Sequence, residues 1–211
     1  AHFILINSII NLKIIIMKKK TLLLVAAIIC LSSTILFAGT LFFRKANVDF
    51  DGYEKLLEVV KAHRKDRLID LEKFKAMSKQ ENVVILDARS EKMYKSKHIK
   101  GAVNLNFSDF TRQNLAAVIP DLETTVLIYC NNNFEGDEVN FASKVARPIP
   151  ALKSKQDLSL ALNIPTYINL YGYGYRNVYE LSEMVNVFDG RVEYEGTSVS
   201  KGMATAKQSG K

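Results

Sequence analysis

Nucleophilic chemistry in this chain centres on one stretch, Thr125-Val126-Leu127-Ile128-Tyr129-Cys130-Asn131-Asn132-Asn133-Phe134-Glu135-Gly136-Asp137. An apolar run with β-branched and aromatic residues breaks at Cys130 into a polar turn, which predicts a buried strand ending in a loop. Asn tolerates left-handed backbone better than most residues, so three in succession suit a tightly curled loop. Beyond it, Asp137-Glu138 followed by Val139, Phe141 and Ala142 predicts a helix with acidic residues in its first turn. A cysteine at a strand end, under a loop that runs into a helix N-terminus, lies where backbone N–H groups stabilise a thiolate. Cys130 is therefore the expected nucleophile. The plain alternative for a lone cysteine is a small buried hydrophobe.

The 211 residues allow one ordinary domain plus appendages, enough to bury a real core. Much of the formal charge of +7 comes from the ends: Lys18, Lys19, Lys20, Arg44 and Lys45 near the start, Lys201, Lys207 and Lys211 in the tail. The middle has no dense Lys/Arg stripe with interleaved aromatics, so no nucleic-acid partner is expected. Of the two cysteines, Cys30 lies in a hydrophobic segment, which leaves Cys130 as the sole thiol of the soluble part. That part holds no internal disulfide and no Cys/His cluster with zinc spacing, so neither metal nor cofactor is expected.

Residues 1–16 are almost continuously apolar and read as an upstream extension, with Met17 as the biological start. The alternative is a first hydrophobic segment pairing with the second in a membrane hairpin. Met17-Lys18-Lys19-Lys20 opens a targeting pattern over residues 17–43, a signal peptide or a signal anchor. Thr21–Phe43 is long enough to span a bilayer at about twenty residues. Leu36-Phe37-Ala38 is an imperfect cleavage site, and Ala27-Ile28-Ile29 before Cys30 matches a lipoprotein box poorly. Either main reading exports the rest of the chain, making it membrane-anchored through this segment or periplasmic (extracytoplasmic).

Residues 44–66 form a linker and a helix from Asp51 to about Asp66, with Tyr53, Leu56, Leu57, Val60 and Ala62 near one face. Arg67–Asp70 predicts a short strand ending in a helix N-cap, and Leu71–Ser78 a short helix. Asn82–Asp87 is continuously apolar before its final Asp, as central parallel strands covered on both faces are. Glu91–Lys95 predicts a brief helix, Lys97–Leu105 a turn into a strand, and Ser108-Asp109 a cap for a helix over Thr111–Val118. Helix is expected over Glu138–Val145, again over Asp157–Leu162, and from Pro165 at the first helical position to about Tyr171. Asn177–Leu181 predicts a last core strand, Arg191–Tyr194 a small edge element, and residues 197–211 a disordered tail. Strands alternating with helices indicate an α/β fold with a central, mostly parallel sheet flanked by helices, preceded by an N-terminal hydrophobic helix. Ligands on such sheets sit beyond the strand C-termini, where Cys130, Asp87 and Glu180 fall.

The series Leu68-Ile69-Asp70, Val84–Arg89, Tyr94, His98–Asn104, Val126–Cys130 and Gly174–Leu181 resembles the rhodanese-like (sulfurtransferase) family, in the family's order. The resemblance covers roughly Arg67 to Leu181, within a domain expected at residues 67–196, and implies sulfane-sulfur transfer through a cysteine persulfide. It makes Cys130 the nucleophile, cradled by Asn131, Asn132, Asn133, Phe134, Glu135 and Gly136, with Asp87 and Arg89 in support. Its partners would be a small sulfur donor or acceptor, or a protein thiol. Many active members carry a loop arginine for an anionic donor such as thiosulfate; Glu135 stands there and would repel one. The phosphatase branch needs an arginine where Gly136 stands, which argues against phosphatase activity.

The segment Ser143–Gln156 is longer than the usual path from loop to helix. Its Lys144, Arg147, Lys153 and Lys155, or Arg176 beyond it, either supply the missing charge or form a solvated basic surface; the second is the expectation. Asp87 and Arg89 are expected to pair structurally, and His98 to hydrogen-bond in a turn. The leading expectation is a cell-envelope rhodanese-like protein doing sulfane-sulfur transfer or thiol redox chemistry through a Cys130 persulfide. The alternative is a non-catalytic rhodanese-fold binding module.

Overall fold

Five strands, all parallel, build the sheet around which the chain folds. In the computed structural model, residues 13, 16–25, 46–148 and 156–199 are described. Backbone contacts divide the chain into two units, Ala1–Asp49 and Phe50–Lys211. In the first, residues 16–25 are helical. Among the described residues no helix is long and apolar enough to cross a membrane; residues 1–12, 14–15 and 26–43 of the expected leader lie outside them.

The second unit runs α1 (Phe50–Lys65), β1 (Leu68–Ile69), α2 (Leu71–Ser78), β2 (Val83–Asp87), α3 (Glu91–Ser96), β3 (His98–Ile99) and β4 (Val103–Asn104). It continues with α4 (Arg112–Val118), β5 (Thr125–Tyr129), β6 (Phe134–Glu135), β7 (Val145–Ala146), β8 (Leu158–Ser159), α5 (Asn163–Gly172), β9 (Val178–Leu181), β10 (Val185–Asn186) and β11 (Tyr194–Glu195). The main sheet has the order β1-β9-β5-β2-β4, with β5 in the middle. Smaller two-stranded ladders join β10 to β6, β11 to β3 and β7 to β8.

The centre of the sheet follows from the apolar run before Cys130. Val126, Leu127 and Ile128 are all fully buried. Successive strand residues point to opposite faces, so Val126 and Ile128 join a cluster with Leu115, Ile119, Tyr167, Leu170 and Val178. Leu127 and Tyr129 join the opposite cluster with Ile69, Phe74, Phe134, Phe141 and Leu181. Each fully buried aliphatic or aromatic side chain here contributes roughly 1.5–3 kcal/mol of transfer free energy. On α1, whose expected apolar face has five members, Val60 alone is fully buried, while Tyr53 and Leu57 stay exposed.

Local capping starts α2 at the expected residue but α4 at a different one. The Asp70 carboxylate accepts from the Lys73 amide at 2.8 Å and starts α2. The cap of α4 is Thr111, which accepts from the Asn114 amide at 3.1 Å, whereas Ser108 and Asp109 lie in a preceding 3-10 turn.

The segment after the Asn-rich loop departs from expectation. No helix forms over Glu138–Val145. Phe134 and Glu135 leave the loop as strand β6, and Gly136 turns the chain at φ +88°. The Asp137 carboxylate then captures the Asn140 amide at 3.1 Å and its side-chain amide at 3.0 and 2.9 Å. Asp and Asn side chains compete in this way with helical hydrogen bonds, and the result is one isolated turn that buries Phe141. The helix expected over Asp157–Leu162 is replaced by β8, antiparallel to β7. Helix α5 begins at Asn163, with Pro165 at its third position, where backbone N–H groups have no intrahelical partner anyway. Residues 197–199 of the expected disordered tail form a helical turn, and Ser198 meets the Ser96 hydroxyl at 2.9 Å; residues 200–211 lie outside the described residues.

Candidate active site around Cys130

Cys130 directly follows the central strand, at the C-terminal edge of the sheet. It is a free thiol, 1% exposed. Each of the three asparagines after it has its own task, and together they form a single 3-10 turn. The Asn131 side-chain oxygen accepts from Arg89 Nη1 at 3.3 Å. Asn132 makes a reciprocal pair with the backbone of Lys144, accepting its N–H at 2.9 Å and donating to its carbonyl at 3.1 Å. Asn133 Oδ1 accepts from the Cys130 N–H at 2.9 Å and from Asn163 Nδ2 at 3.0 Å, while its own Nδ2 donates to the Leu181 carbonyl at 2.6 Å.

The bond between Asn133 and Asn163 closes an excursion of thirty residues. It brings the N-terminus of α5 to the cysteine, the position the sequence assigned to a helix directly after the loop. Burial pushes the Cys130 thiol above its ordinary value, and the Glu180 carboxylate adds to that effect. The backbone N–H groups of Asn163, Asn132 and Leu162 pull the other way, as donors to anionic sulfur. Desolvation is the largest of these influences, so the resting group is the neutral thiol.

Glu180 is itself buried in β9. Arg64 from α1 holds it with two bonds of 2.6 Å, and Asn163 Nδ2 reaches its Oε1 at 3.3 Å. Asp87 and Arg89 form a second buried pair beside the loop. Arg89 Nη2 and Nε grip the carboxylate at 2.6 and 3.0 Å, and the Tyr129 hydroxyl donates to it at 2.6 Å. The remaining guanidinium hydrogens go to the carbonyls of Lys97 at 2.8 Å and Asn140 at 3.0 Å. Arg89 thus ties the loop, the Asp137 turn and the end of α3 into one unit.

The other candidates fall into place around this core. Phe134 is buried against Phe141 and Tyr129, Glu135 is exposed on β6, and Gly136 turns the chain away. His98 is stacked on Tyr94, its Nδ1 2.7 Å from the Tyr94 carbonyl. Arg176 precedes β9 at the opposite edge of the sheet, bonded to the Tyr171 carbonyl, so it does not reach the cysteine. Lys153 and Lys155 lie outside the described residues. Among the described residues, no group of three or more His, Cys, Asp or Glu is placed to hold a metal ion. Sequence reasoning missed Leu162, Asn163 and Arg64. A helix start was legible at Pro165, two residues late, but nothing in the spacing linked it to a cysteine so far upstream.

A family-wide description of the rhodanese-like domain matches residues 70–183. The chain belongs to the rhodanese-like domain family. Solved structures similar to it include the BH2092 protein of Bacillus halodurans, with 18% identity and a TM-score of 0.42 over 67% of this chain and 86% of that one. The Alr3790 protein of Anabaena sp. has 18% identity and a TM-score of 0.38 over 68% and 94%. An E. coli rhodanese with anions has 18% identity and a TM-score of 0.33 over 55% and 99%. No curated protein matches the chain.

Within this rhodanese-like domain the stretch from Phe134 to Leu162 lies between the cysteine turn and its helix, while α1 precedes the matched segment. The buried thiol makes the domain pH-sensitive in a defined direction. A thiol raised in the folded state stabilises the fold fully below its ordinary value of 9.0 and loses that contribution as pH rises through the folded value. Denaturation midpoints of the wild type and Cys130→Ala are therefore expected to converge or cross as pH rises above 9.0. A constant gap across that range would contradict the prediction.

Proposed function

We propose that this rhodanese-like protein carries sulfane sulfur on Cys130. One arrangement supports the reading above others: Cys130 ends the central strand and opens the Asn131–Asn133 turn, with the start of α5 tied over it through Asn133, so backbone N–H groups of Asn163, Asn132 and Leu162 oppose the effect of burial on the thiol. A neutral buried thiol gains little from such donors, whereas a thiolate or a persulfide anion gains a great deal. In the first step the Cys130 thiolate attacks the outer sulfur of a hydropersulfide donor, R–S–SH. The Cys130 S–S bond forms, the donor S–S bond breaks, and the leaving thiolate RS⁻ takes up a proton. In the second, an acceptor thiolate attacks the outer sulfur and Cys130 leaves as thiolate. Sulfur changes hands with no net oxidation.

The exposed carboxylate of Glu135 disfavours a dianionic donor such as thiosulfate. A small persulfide or a protein thiol fits the site better as donor or acceptor. The basic Lys18–Lys20 run ahead of the apolar Thr21–Phe43 supports action at the cell envelope, with the domain exported and anchored or released.

A second reading, a non-catalytic binding module, draws support from the 1% exposure of the thiol. Mass spectrometry of the intact protein after treatment with a hydropersulfide separates the two. A gain of one sulfur atom, removed by dithiothreitol and lost in Cys130→Ser, is the expected result. No adduct from cysteine persulfide, polysulfide or thiosulfate would sink the carrier reading and leave the binding module.

A further inference from the structure

Helix α1 ends beside the site although it lies before the segment that matches the family. Its Arg64 reaches inward and donates from Nε and Nη2 to the two oxygens of Glu180, each at 2.6 Å. This planar, two-point geometry is the strongest form of arginine–carboxylate pairing. The carboxylate is almost fully enclosed, whereas the guanidinium keeps partial contact with solvent. From Glu180 a chain of hydrogen bonds runs through Asn163 Nδ2 at 3.3 Å to Asn133 Oδ1 at 3.0 Å, and from there to the Cys130 N–H at 2.9 Å. We infer that Arg64 is a positioning residue for Cys130, countering part of the charge of Glu180 so that it opposes the thiolate less, and thereby making the reactivity of the cysteine depend on docking of α1.

The other groups facing Glu180 do not replace Arg64. Tyr167 on α5 is held neutral, mainly by burial, its hydroxyl donating to the Val178 carbonyl at 3.0 Å and lying 3.0 Å from His63 Nδ1. His63 is biased towards its neutral form by burial and by Arg67 and Arg176. The Arg67 guanidinium lies over the Tyr179 ring, and its Nε has no hydrogen-bond partner. Lost pairing would leave Glu180 enclosed with its charge uncompensated.

The inference rests on the reading of Cys130 as the reactive thiol, and its test is separable from sulfur chemistry. In the full-length protein with isotope-labelled cysteine, the Cβ resonance of Cys130 reports its ionisation without any reagent having to enter. Arg64→Gln is expected to move the titration midpoint up by about one pH unit, or about tenfold less thiolate at fixed pH. Glu180→Gln is expected to move it down, and Arg64→Lys to lie between wild type and Arg64→Gln. Opposite signs are the signature, because mere loosening of the domain moves both variants the same way. Shifts of the same sign, or none, overturn the inference. Should Arg64→Gln fail to fold by circular dichroism, Arg64→Lys replaces it, with a smaller upward shift expected and no shift overturning. Sulfur loading is read separately: opposite shifts without loading reject the carrier and retain this role for Arg64.

Discussion

Arg89→Ala is expected to destabilise the domain by about 3–5 kcal/mol, the usual cost of leaving one member of a buried ion pair without its partner. The Asp87 carboxylate is 0% exposed, and Arg89 supplies both its countercharge and most of its hydrogen bonds. The Tyr129 hydroxyl at 2.6 Å would remain, but a neutral donor cannot compensate a buried charge. The same substitution frees the carbonyls of Lys97 and Asn140 and uncovers the Phe141 ring, over which the guanidinium sits at 4.7 Å. Arg89→Lys keeps the charge but gives up the planar fork, so it is expected to recover only part of the loss. Urea unfolding of the three proteins measures this directly. A cost below about 1 kcal/mol for Arg89→Ala would mean that water or a neighbouring group takes over the carboxylate, contrary to the enclosure described.

Asn133→Ala carries the second large effect, and it reaches both stability and chemistry. One side chain serves three buried partners: the Cys130 N–H, the Asn163 amide and the Leu181 carbonyl. Each buried group left without a partner costs about 1–3 kcal/mol, so a total of roughly 2–4 kcal/mol is expected after relaxation. The bond to Asn163 also registers α5 over the cysteine, and its loss is expected to slow sulfur uptake by Cys130 more than tenfold, since donors misplaced by about an ångström lose much of their effect. Asn133→Asp separates the two roles. It retains the acceptor for the Cys130 N–H and Asn163, loses the donor to the Leu181 carbonyl, and places a negative charge near the sulfur, so it suppresses thiolate reactivity even where the fold persists. Unfolding curves and the rate of persulfide loading, measured on the same samples, test both halves. Loading at the wild-type rate in Asn133→Asp would refute the electrostatic half.

The sheet and its centre were legible because burial leaves a direct mark on sequence. Val83–Asp87 and Thr125–Tyr129 lie where their unbroken apolar runs predicted, and their parallel pairing follows from helices between them. The family order confirmed in residues 70–183 adds the connections. The segment after the loop was not legible, since acidic residues followed by spaced hydrophobes describe a helix start as well as they describe a turn. Asp137 and Asn140 decided the matter through side-chain bonds to the backbone, which periodicity does not record. Cys130 stood out as a residue type at a strand end, and its setting did not. The raised thiol arises first from burial and then from Glu180, and Glu180 lies far from the cysteine in sequence.

The path from Asn133 out to β7 and β8 and back to Asn163 starts and finishes within one hydrogen bond of 3.0 Å. Closing such a loop costs entropy that grows only with the logarithm of its length, about 0.6 kcal/mol for each doubling. Lengthening the connection between β7 and β8 therefore adds little to that cost, and α5 is expected to keep its place over the cysteine when a short peptide is inserted there. The same closure has a timing: a chain leaving the ribosome presents Cys130 before Leu162 and Asn163 have emerged to enclose its sulfur. The thiol is exposed in the nascent chain and becomes enclosed only once that later segment has been made and has folded back.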